Sequence, residues 1–368
     1  MKVMHLLPSL SSGGVEQVVL ELCLGLCARG VETVVVSEGG PMVAAVEAAG
    51  ARHITLPIGR KSLKTFLMVP RMARLIREEH PNVLHLHSRV PAWVGLLAAR
   101  RVEKAVRPLV VTTFHGFHSV NFYSAVMAKG DRVIAVSECM KRHILENYPS
   151  TPEERITVVP NSVDTTQNFP EYRPSTEWWQ QWRNDYPELQ GKFTLCLPGR
   201  ITRIKGAAHL IPLLRDLHER GIPAHAVIVG ETKKGKEAFR AELQEAFALA
   251  GLANAVTWTG HRRDLRDVLC ACDVTLSLTL IPESFGKTTL DALALGRPVA
   301  GYEHGGVGEQ LDIFLPQGKV PVGDTAAMAK LLAEWHRQAP TPLSPVPAPY
   351  RREDMLEGHL RVYGASVN

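Results

Sequence analysis

The stretch Pro282-Glu283-Ser284-Phe285-Gly286-Lys287-Thr288-Thr289-Leu290-Asp291, continuing as Ala292-Leu293-Ala294-Leu295-Gly296-Arg297-Pro298-Val299, decides how this chain is read. A short β-branched apolar run at 274–278 precedes it. Ser284 to Lys287 then have the character of a loop that closes into a helix N-terminus. The helical pattern covers 287–295, and Gly296 with Pro298 stops it. An apolar run at 298–301 comes next, so the segment reads as strand, loop, helix, strand, the unit of a parallel sheet. Amides at such a helix start suit a diphosphate, and ligands of open α/β sheets gather at the carboxyl ends of the strands. Glu283 precedes the helix, where a carboxylate can accept from sugar hydroxyls. Asp291 is expected about two turns into the helix.

The same alternation extends in both directions. In the second half the strand patterns are 193–198, 224–229, 256–260, 274–278 and 298–301, with helices at 206–219, 236–250, 265–272, 287–295 and 325–338. In the first half the strands fall at 2–8, 32–37, 53–57, 83–87, 108–114, 132–137 and 156–160, with amphipathic stretches at 15–29, 63–79 and 138–148. Near-continuous apolar strands between helices predict parallel sheets covered on both faces. A length of 368 residues exceeds what one core usually supports. The expectation is an α/β protein of two Rossmann-like domains, 1–163 and 164–345, facing each other across a cleft. The segment 164–187 is polar and lacks a strand pattern. Its Trp178, Trp179 and Trp182 would share a helix face, for packing or as an acceptor platform. The proline-rich stretch 339–349 is an extended connector. Helical spacing resumes at 352–363, so a terminal helix within 352–368 can pack back on the first domain.

Composition excludes several classes. No apolar run is long enough for a membrane-spanning helix, and the N-terminus enters a strand without a secretory pattern. The six cysteines have neither zinc-site nor disulfide-framework spacing. Net charge is +5, and residues 1–165 carry all of it, with 19 Lys+Arg against 14 Asp+Glu. One cluster is Arg60, Lys61, Lys64, Arg71, Arg74 and Arg77; another is Arg100, Arg101, Lys104 and Arg107. These are either solvated helix faces or a surface for an anionic membrane or a phosphorylated acceptor. No nucleic-acid-binding module accompanies them.

Two further loops bear on chemistry. Pro8-Ser9-Leu10-Ser11-Ser12-Gly13-Gly14-Val15-Glu16 comes after the first strand and opens the first long helix. Its glycines would let a ligand approach the backbone, although a simple tight turn explains them as well, and the dinucleotide fingerprint is absent. Pro198-Gly199-Arg200-Ile201-Thr202-Arg203-Ile204-Lys205-Gly206 comes after the first strand of the second half. Arg200 offers a planar fork for phosphate oxygens and Lys205 a compact charge, and two cations this close invite an anion. No two aspartates lie two apart, so no Asp-x-Asp metal motif exists. Among the histidines, His115 sits after a strand within Thr112-Thr113-Phe114-His115-Gly116. For His85 and His87, alternation suggests that one faces the core with a backbone hydrogen bond. His304 and Glu309 lie in a Gly-rich turn, Tyr302-Glu303-His304-Gly305-Gly306-Val307-Gly308-Glu309.

The 283–291 segment, the 199–206 loop and the Gly13-Gly14 loop together resemble the retaining glycosyltransferases of family 4, whose architecture is GT-B. Within that family, Val83-Leu84-His85-Leu86-His87-Ser88-Arg89-Val90 and the 112–116 stretch look most like lipopolysaccharide-core and related surface-glycan enzymes. The resemblance implies that Arg200 and Lys205 neutralise the diphosphate leaving group, and that Gly13 and Gly14 let donor phosphates and acceptor come close. It gives His115 a contact to the donor sugar near its primary hydroxyl. Glu283 would contact sugar hydroxyls and stabilise positive charge at the reacting carbon, with Ser284 beside it. Phe285, Gly286 and Lys287 would place amides on the phosphates. Asp291 stands where the family has glutamate, binding ribose; it is one methylene shorter.

The expected function is that of a retaining, metal-independent hexosyltransferase that needs no cofactor beyond its nucleotide-sugar substrate, a UDP-hexose. The acceptor would be lipopolysaccharide core or another surface glycan. The first domain would serve the acceptor and the second the donor. The setting would be cytoplasmic, peripheral on the inner face of the membrane. Two other classes stand beside it: a nucleotide-sugar binder without transfer, and a sugar-nucleotide epimerase on the same fold.

Overall fold

The computed structural model describes residues 1–11, 13–232, 235 and 237–364. Ser12 of the first glycine loop, Lys236 of the expected 236–250 helix and the last four residues of the 352–368 segment lie outside the described residues. The chain divides into two units: residues 1–162 with 348–368, and residues 163–347.

The first unit is built on a seven-stranded parallel sheet in the order β3-β2-β1-β4-β5-β6-β7. The strands are β1 (Lys2–Leu6), β2 (Glu32–Ser37), β3 (Arg52–Thr55), β4 (Val83–Leu86), β5 (Leu109–Phe114), β6 (Arg132–Ala135) and β7 (Ile156–Val158). Helices α1 (Gly14–Ala28), α2 (Val43–Ala48), α3 (Val69–Glu79), α4 (Arg89–Ala99) and α5 (Glu138–Asn147) alternate with them. The expected 63–79 helix is two pieces: a 3₁₀ segment, Leu63–Met68, then α3 with Pro70 in its first turn. Proline has no N–H to continue the earlier ladder but fits a helix start. Helix α4 has no counterpart in the expectation. Its Val-Pro-Ala-Trp-Val-Gly-Leu-Leu-Ala-Ala run is apolar on most sides and mostly buried, so it carries no amphipathic period.

The second unit has six parallel strands in the order β10-β9-β8-β11-β12-β13. They are β8 (Phe193–Pro198), β9 (Ala224–Val229), β10 (Val256–Gly260), β11 (Val274–Ser277), β12 (Val299–Tyr302) and β13 (Lys319–Val320). The helices are α6 (Thr176–Asp185), α7 (Leu210–Glu219), α8 (Ala238–Leu249), α9 (Leu265–Ala271), α10 (Lys287–Ala294), α11 (Gly305–Phe314) and α12 (Thr325–Arg337). On α6, Trp178 and Trp182 stack at 5.1 Å, and Trp178 Nε1 donates to Asp264 Oδ2 at 2.7 Å, so these rings serve packing. The Gly-rich turn expected at 302–309 is the start of α11. Its glycines are poor helix formers, but a Cβ on Gly306 would lie 2.5 Å from the Phe285 backbone. Close packing overrides propensity there.

The terminal helix α13 (Arg352–Tyr363) belongs to the first unit. Its Met355, Leu356, Leu360 and Tyr363 pack with Val3, Val18, Leu22, Val83, Val111 and Val159. It covers the sheet face opposite the one packed by α3 and α4.

Candidate functional site

Both sheets reverse strand order beside their first strand, between β1 and β4 and between β8 and β11; open α/β sheets bind ligands at the carboxyl ends of the strands at such a point. In the second unit this is where the sequence motifs meet. The 199–206 loop leaves β8 and is tied to the loop after β11 by Leu280 N–H donating to Ile204 O at 2.8 Å. Gly206 has φ +71°, and a Cβ there would sit 1.9 Å from Leu278 O, so the two loops touch at backbone level. That contact brings Lys205 to Glu283, and the ammonium and carboxylate form an ion pair. Thr279 Oγ1 donates to the same carboxylate oxygen at 2.5 Å. His304 Nε2 donates in turn to Thr279 O at 2.7 Å, which fixes its tautomer. Thr279 is a contributor that motif reading missed, because a threonine at a strand end carries no signal of its own.

Gly286 adopts φ +88° and caps α10, and a Cβ would meet Val307 at 2.7 Å. The loop before it is held from behind: Gly306 N–H donates to Glu283 O at 2.8 Å, and the buried Gln310 Nε2 to Phe285 O at 2.7 Å. Phe285 is buried, while Ser284 and Lys287 are half-buried. Arg200 is exposed beyond the end of β8. Since α10 starts only at Lys287, Asp291 sits about one turn into the helix, not two. The loop consumes 283–286 without helical rise. At i,i+4 spacing Asp291 pairs with Lys287. Burial raises the Asp291 pKa and the Lys287 charge opposes that shift. Two of the candidate cations, Lys205 and Lys287, are thus each held by a candidate acid, and an anionic ligand must compete for them.

In the first unit, Gly13 caps α1 in extended conformation and Gly14 begins it. A Cβ on Gly14 would meet nothing within 4 Å, so the protein itself does not require glycine there. His115 comes directly after β5 and is half-buried. Its Nε2 lies 3.0 Å from His87 Nδ1, with the rings stacked at 5.3 Å, and His87 Nε2 lies 2.9 Å from His5 Nδ1. Burial lowers the His115 pKa to about 3, aided by His359 and His118, and burial with His359 does the same to His5. His85 and His87 are both buried, on one face, which corrects the expectation that one of them faces the core. Residues two apart on a strand share a side, and α13 covers that side. Nor does either bond backbone: His85 bonds Tyr363 OH and Thr113 Oγ1, both at 2.7 Å. His5, His85 and His87 come close enough for a metal, yet these protein partners satisfy every ring nitrogen of the three except His5 Nε2. The legible signal was a shared pattern on three neighbouring strands: Val3-x-His5, Val83-x-His85-x-His87 and Val111-x-Thr113-x-His115.

Residues 12–167 match the sequence family described as Glycosyltransferase Family 4, and residues 192–337 match Glycosyl transferases group 1. The chain is a glycosyltransferase. Its GT-B architecture, two parallel sheets flanked by helices, recurs in solved structures. Anabaena Alr3699/HepE in complex with UDP and glucose is 18% identical, with a TM-score of 0.82 and complete coverage of both chains. The apo lipopolysaccharide outer core galactosyltransferase WaaB is 15% identical, with a TM-score of 0.68 over 99% of this chain and 96% of that one. Among curated relatives, the 2-deoxystreptamine N-acetyl-D-glucosaminyltransferase of Streptomyces fradiae is 25% identical over 367 residues, covering 89% of this chain and 84% of the relative. In this glycosyltransferase some of the cations noted in sequence already have protein partners. Arg77 bonds Glu103 and the Arg101 carbonyl, and Arg60 approaches Glu38 at 3.7 Å. Lys61, Lys64, Arg71 and Arg74 are exposed. Arg89, at the start of α4, donates to Ser124 Oγ at 3.2 Å and lies 5.3 Å from the Tyr123 ring centre. It is a half-buried cation without a carboxylate partner among the described residues, and the motif reading gave it no role. No described helix is long and apolar enough to cross a membrane.

Proposed function

We propose that this glycosyltransferase moves a hexosyl group from a UDP-linked donor to a lipopolysaccharide-core or related surface-glycan acceptor, with retention and without a metal. The observation that carries this reading is Lys205 bound to the Thr279-tethered Glu283, beside the amides that open α10. A donor diphosphate laid there replaces Glu283 on Lys205, with Arg200 and Lys287 at hand. The displaced Glu283 becomes available to the sugar hydroxyls. The acceptor hydroxyl oxygen bonds to the anomeric carbon on the face the leaving group departs from. The carbon–phosphate-oxygen bond breaks with its electron pair to the diphosphate, which takes the acceptor proton. Arg200 and Lys205 supply the charge stabilisation a divalent ion gives elsewhere.

Support for the acceptor class comes from the 83–90 and 112–116 stretches and from the likeness of fold to WaaB. The exposed cations Lys61, Lys64, Arg71 and Arg74 would hold the enzyme at the anionic cytoplasmic face of the inner membrane. Asp291, bound to Lys287 in place of a longer glutamate, favours a second reading, a nucleotide-sugar binder without transfer. A thermal-shift panel of UDP-, GDP- and ADP-sugars tests the donor, since the right ligand in excess stabilises by a few kcal/mol. NMR of the anomeric product tests retention. Activity abolished by EDTA and restored by Mg2+ or Mn2+ overturns metal independence; slow UDP release without acceptor overturns the binder.

A further inference from the structure

A cavity of about 510 Å³ opens on the first unit between the segment 60–66, helix α4 and Phe122-Tyr123. Its walls are Leu63, Phe66, Val90, Trp93, Leu97 and the two aromatic residues, with Arg60 and Lys61 at its edge. Polar atoms contribute very little to the lining. Leu63 is 86% exposed and Phe122 74%, and Phe66, Leu67 and Val120 are also exposed beside them. Single exposed apolar residues are ordinary, but a contiguous apolar hollow marks a binding surface.

The charged residues that line it, Arg60 and Lys61, are cations, although Arg60 also approaches Glu38 at 3.7 Å. Between residues 48 and 130 there are 13 Lys+Arg and only three acids, Glu78, Glu79 and Glu103. Glu79 is taken by Lys2 and Arg52, and Glu103 by Arg77. Lys129 Nζ lies 5.2 Å from the Phe122 ring centre and 5.6 Å from that of Trp93, at cation–π distance. The occupant must therefore be apolar where it enters and anionic where it stays outside. These walls offer few hydrogen-bonding groups, chiefly the Ser62 and Tyr123 hydroxyls, against the many that a glycan must satisfy, and a peptide would leave its backbone groups unsatisfied. An acyl chain has no such groups.

We propose that this cavity takes one acyl chain of an anionic phospholipid while Arg60, Lys61 and Lys64 hold its phosphate. It rests on the membrane-face reading above only for its biological use, since lipid binding requires no donor sugar. A single inserted chain adds an apolar anchor to the electrostatic contact, and two signals together are what stable peripheral binding needs. The cavity size lies within the usual range for small-molecule sites.

The experiment is flotation of the full chain with phosphatidylcholine vesicles, with and without phosphatidylglycerol. Alongside it, tryptophan quenching is read with lipid brominated in the acyl chain. Binding should need phosphatidylglycerol, and quenching should occur and be largely lost in Trp93→Phe. Leu63→Asn and Phe122→Asn remove apolar surface without changing charge at exposed positions that folding does not need; each should weaken partitioning about tenfold. Unchanged melting temperatures would show that both remain folded. Asparagine variants that partition within about twofold of the parent, or quenching that survives in Trp93→Phe, would mean that charge alone or another surface holds the lipid and would overturn the proposal. The assay contains no nucleotide sugar, so a chain without transferase activity could pass it and an active transferase could fail it.

Discussion

The Nδ1 of His87 lies 3.0 Å from the Nε2 of His115, and this contact ends a buried row of imidazoles that begins at His5. A neutral imidazole has one donor and one acceptor nitrogen, so protonation along the row must run in one direction. His5 Nε2 is buried without a partner. An orphaned N–H is rarer in protein interiors than an under-used acceptor, so His5 carries its proton on Nδ1. His87 then accepts at Nε2 and donates from Nδ1, and His115 accepts at Nε2. The prediction is that His115 is the Nδ1–H tautomer. Nitrogen-15 NMR of histidine-labelled protein should show it, and an Nε2–H signal for His115 would refute the direction.

The same row makes stability depend on pH. Burial lowers the folded-state pKa of His5 and His115 from the ordinary 6.5 to about 3. The unfolded chain binds these protons below about 6.5 and the folded chain does not. Stability is therefore full above 6.5 and declines as pH falls from there toward 3, by up to about 1 kcal/mol per pH unit for a buried group such as His5. Denaturant melts between pH 7 and 4 should show the fall, and His5→Phe should lessen its slope while the other buried imidazoles keep the rest.

Two glycines should respond oppositely to alanine. Gly206 has φ +71° and would push its Cβ to 1.9 Å from Leu278 O, whereas Gly14 meets nothing within 4 Å. Gly206→Ala should cost roughly 2 kcal/mol or more and lower Tm by several degrees, because the left-handed backbone and the clash both oppose it. Gly14→Ala should leave Tm unchanged and weaken transfer if substrate approaches that backbone. Calorimetry and steady-state kinetics separate the two.

Lys205 and Glu283 should behave as partners in the apo protein and as rivals with donor bound. Lys205→Met removes charge from the leaving group and should lower kcat by about 10²–10³-fold. Glu283→Gln keeps an acceptor for Thr279 but gives up the ion pair. It should bind free UDP at least as tightly as the parent, because Lys205 is no longer occupied, and still lose kcat. Calorimetric UDP titration checks this; weaker UDP binding in Glu283→Gln would contradict the exchange of partners.

Asp291 pairs with Lys287 one turn away. Asp291→Glu keeps the charge and extends the reach toward a ribose, so donor affinity should hold or improve. Asp291→Ala should weaken it about tenfold. An effect on sugar specificity rather than on nucleotide affinity would mean the residue does not face the ribose.

The strand–helix alternation and parallel sheets were legible because their signals are local: β-branched runs, amphipathic spacing, glycine and proline stops. Elements without a local signal were not. Strand β13 is two residues long, α4 is apolar on most sides, and α11 begins in glycines that only packing makes helical. Of the site, sequence determined which residues carry charge and which loops stand at strand ends. It did not determine which charges neutralise one another. Lys205 and Glu283 are 78 positions apart, and meet only because β8 and β11 are neighbours and Gly206 lets their loops touch. The imidazole row is of the same kind: its members sit on three strands far apart in sequence, and strand order with an unbroken parallel register sets them side by side.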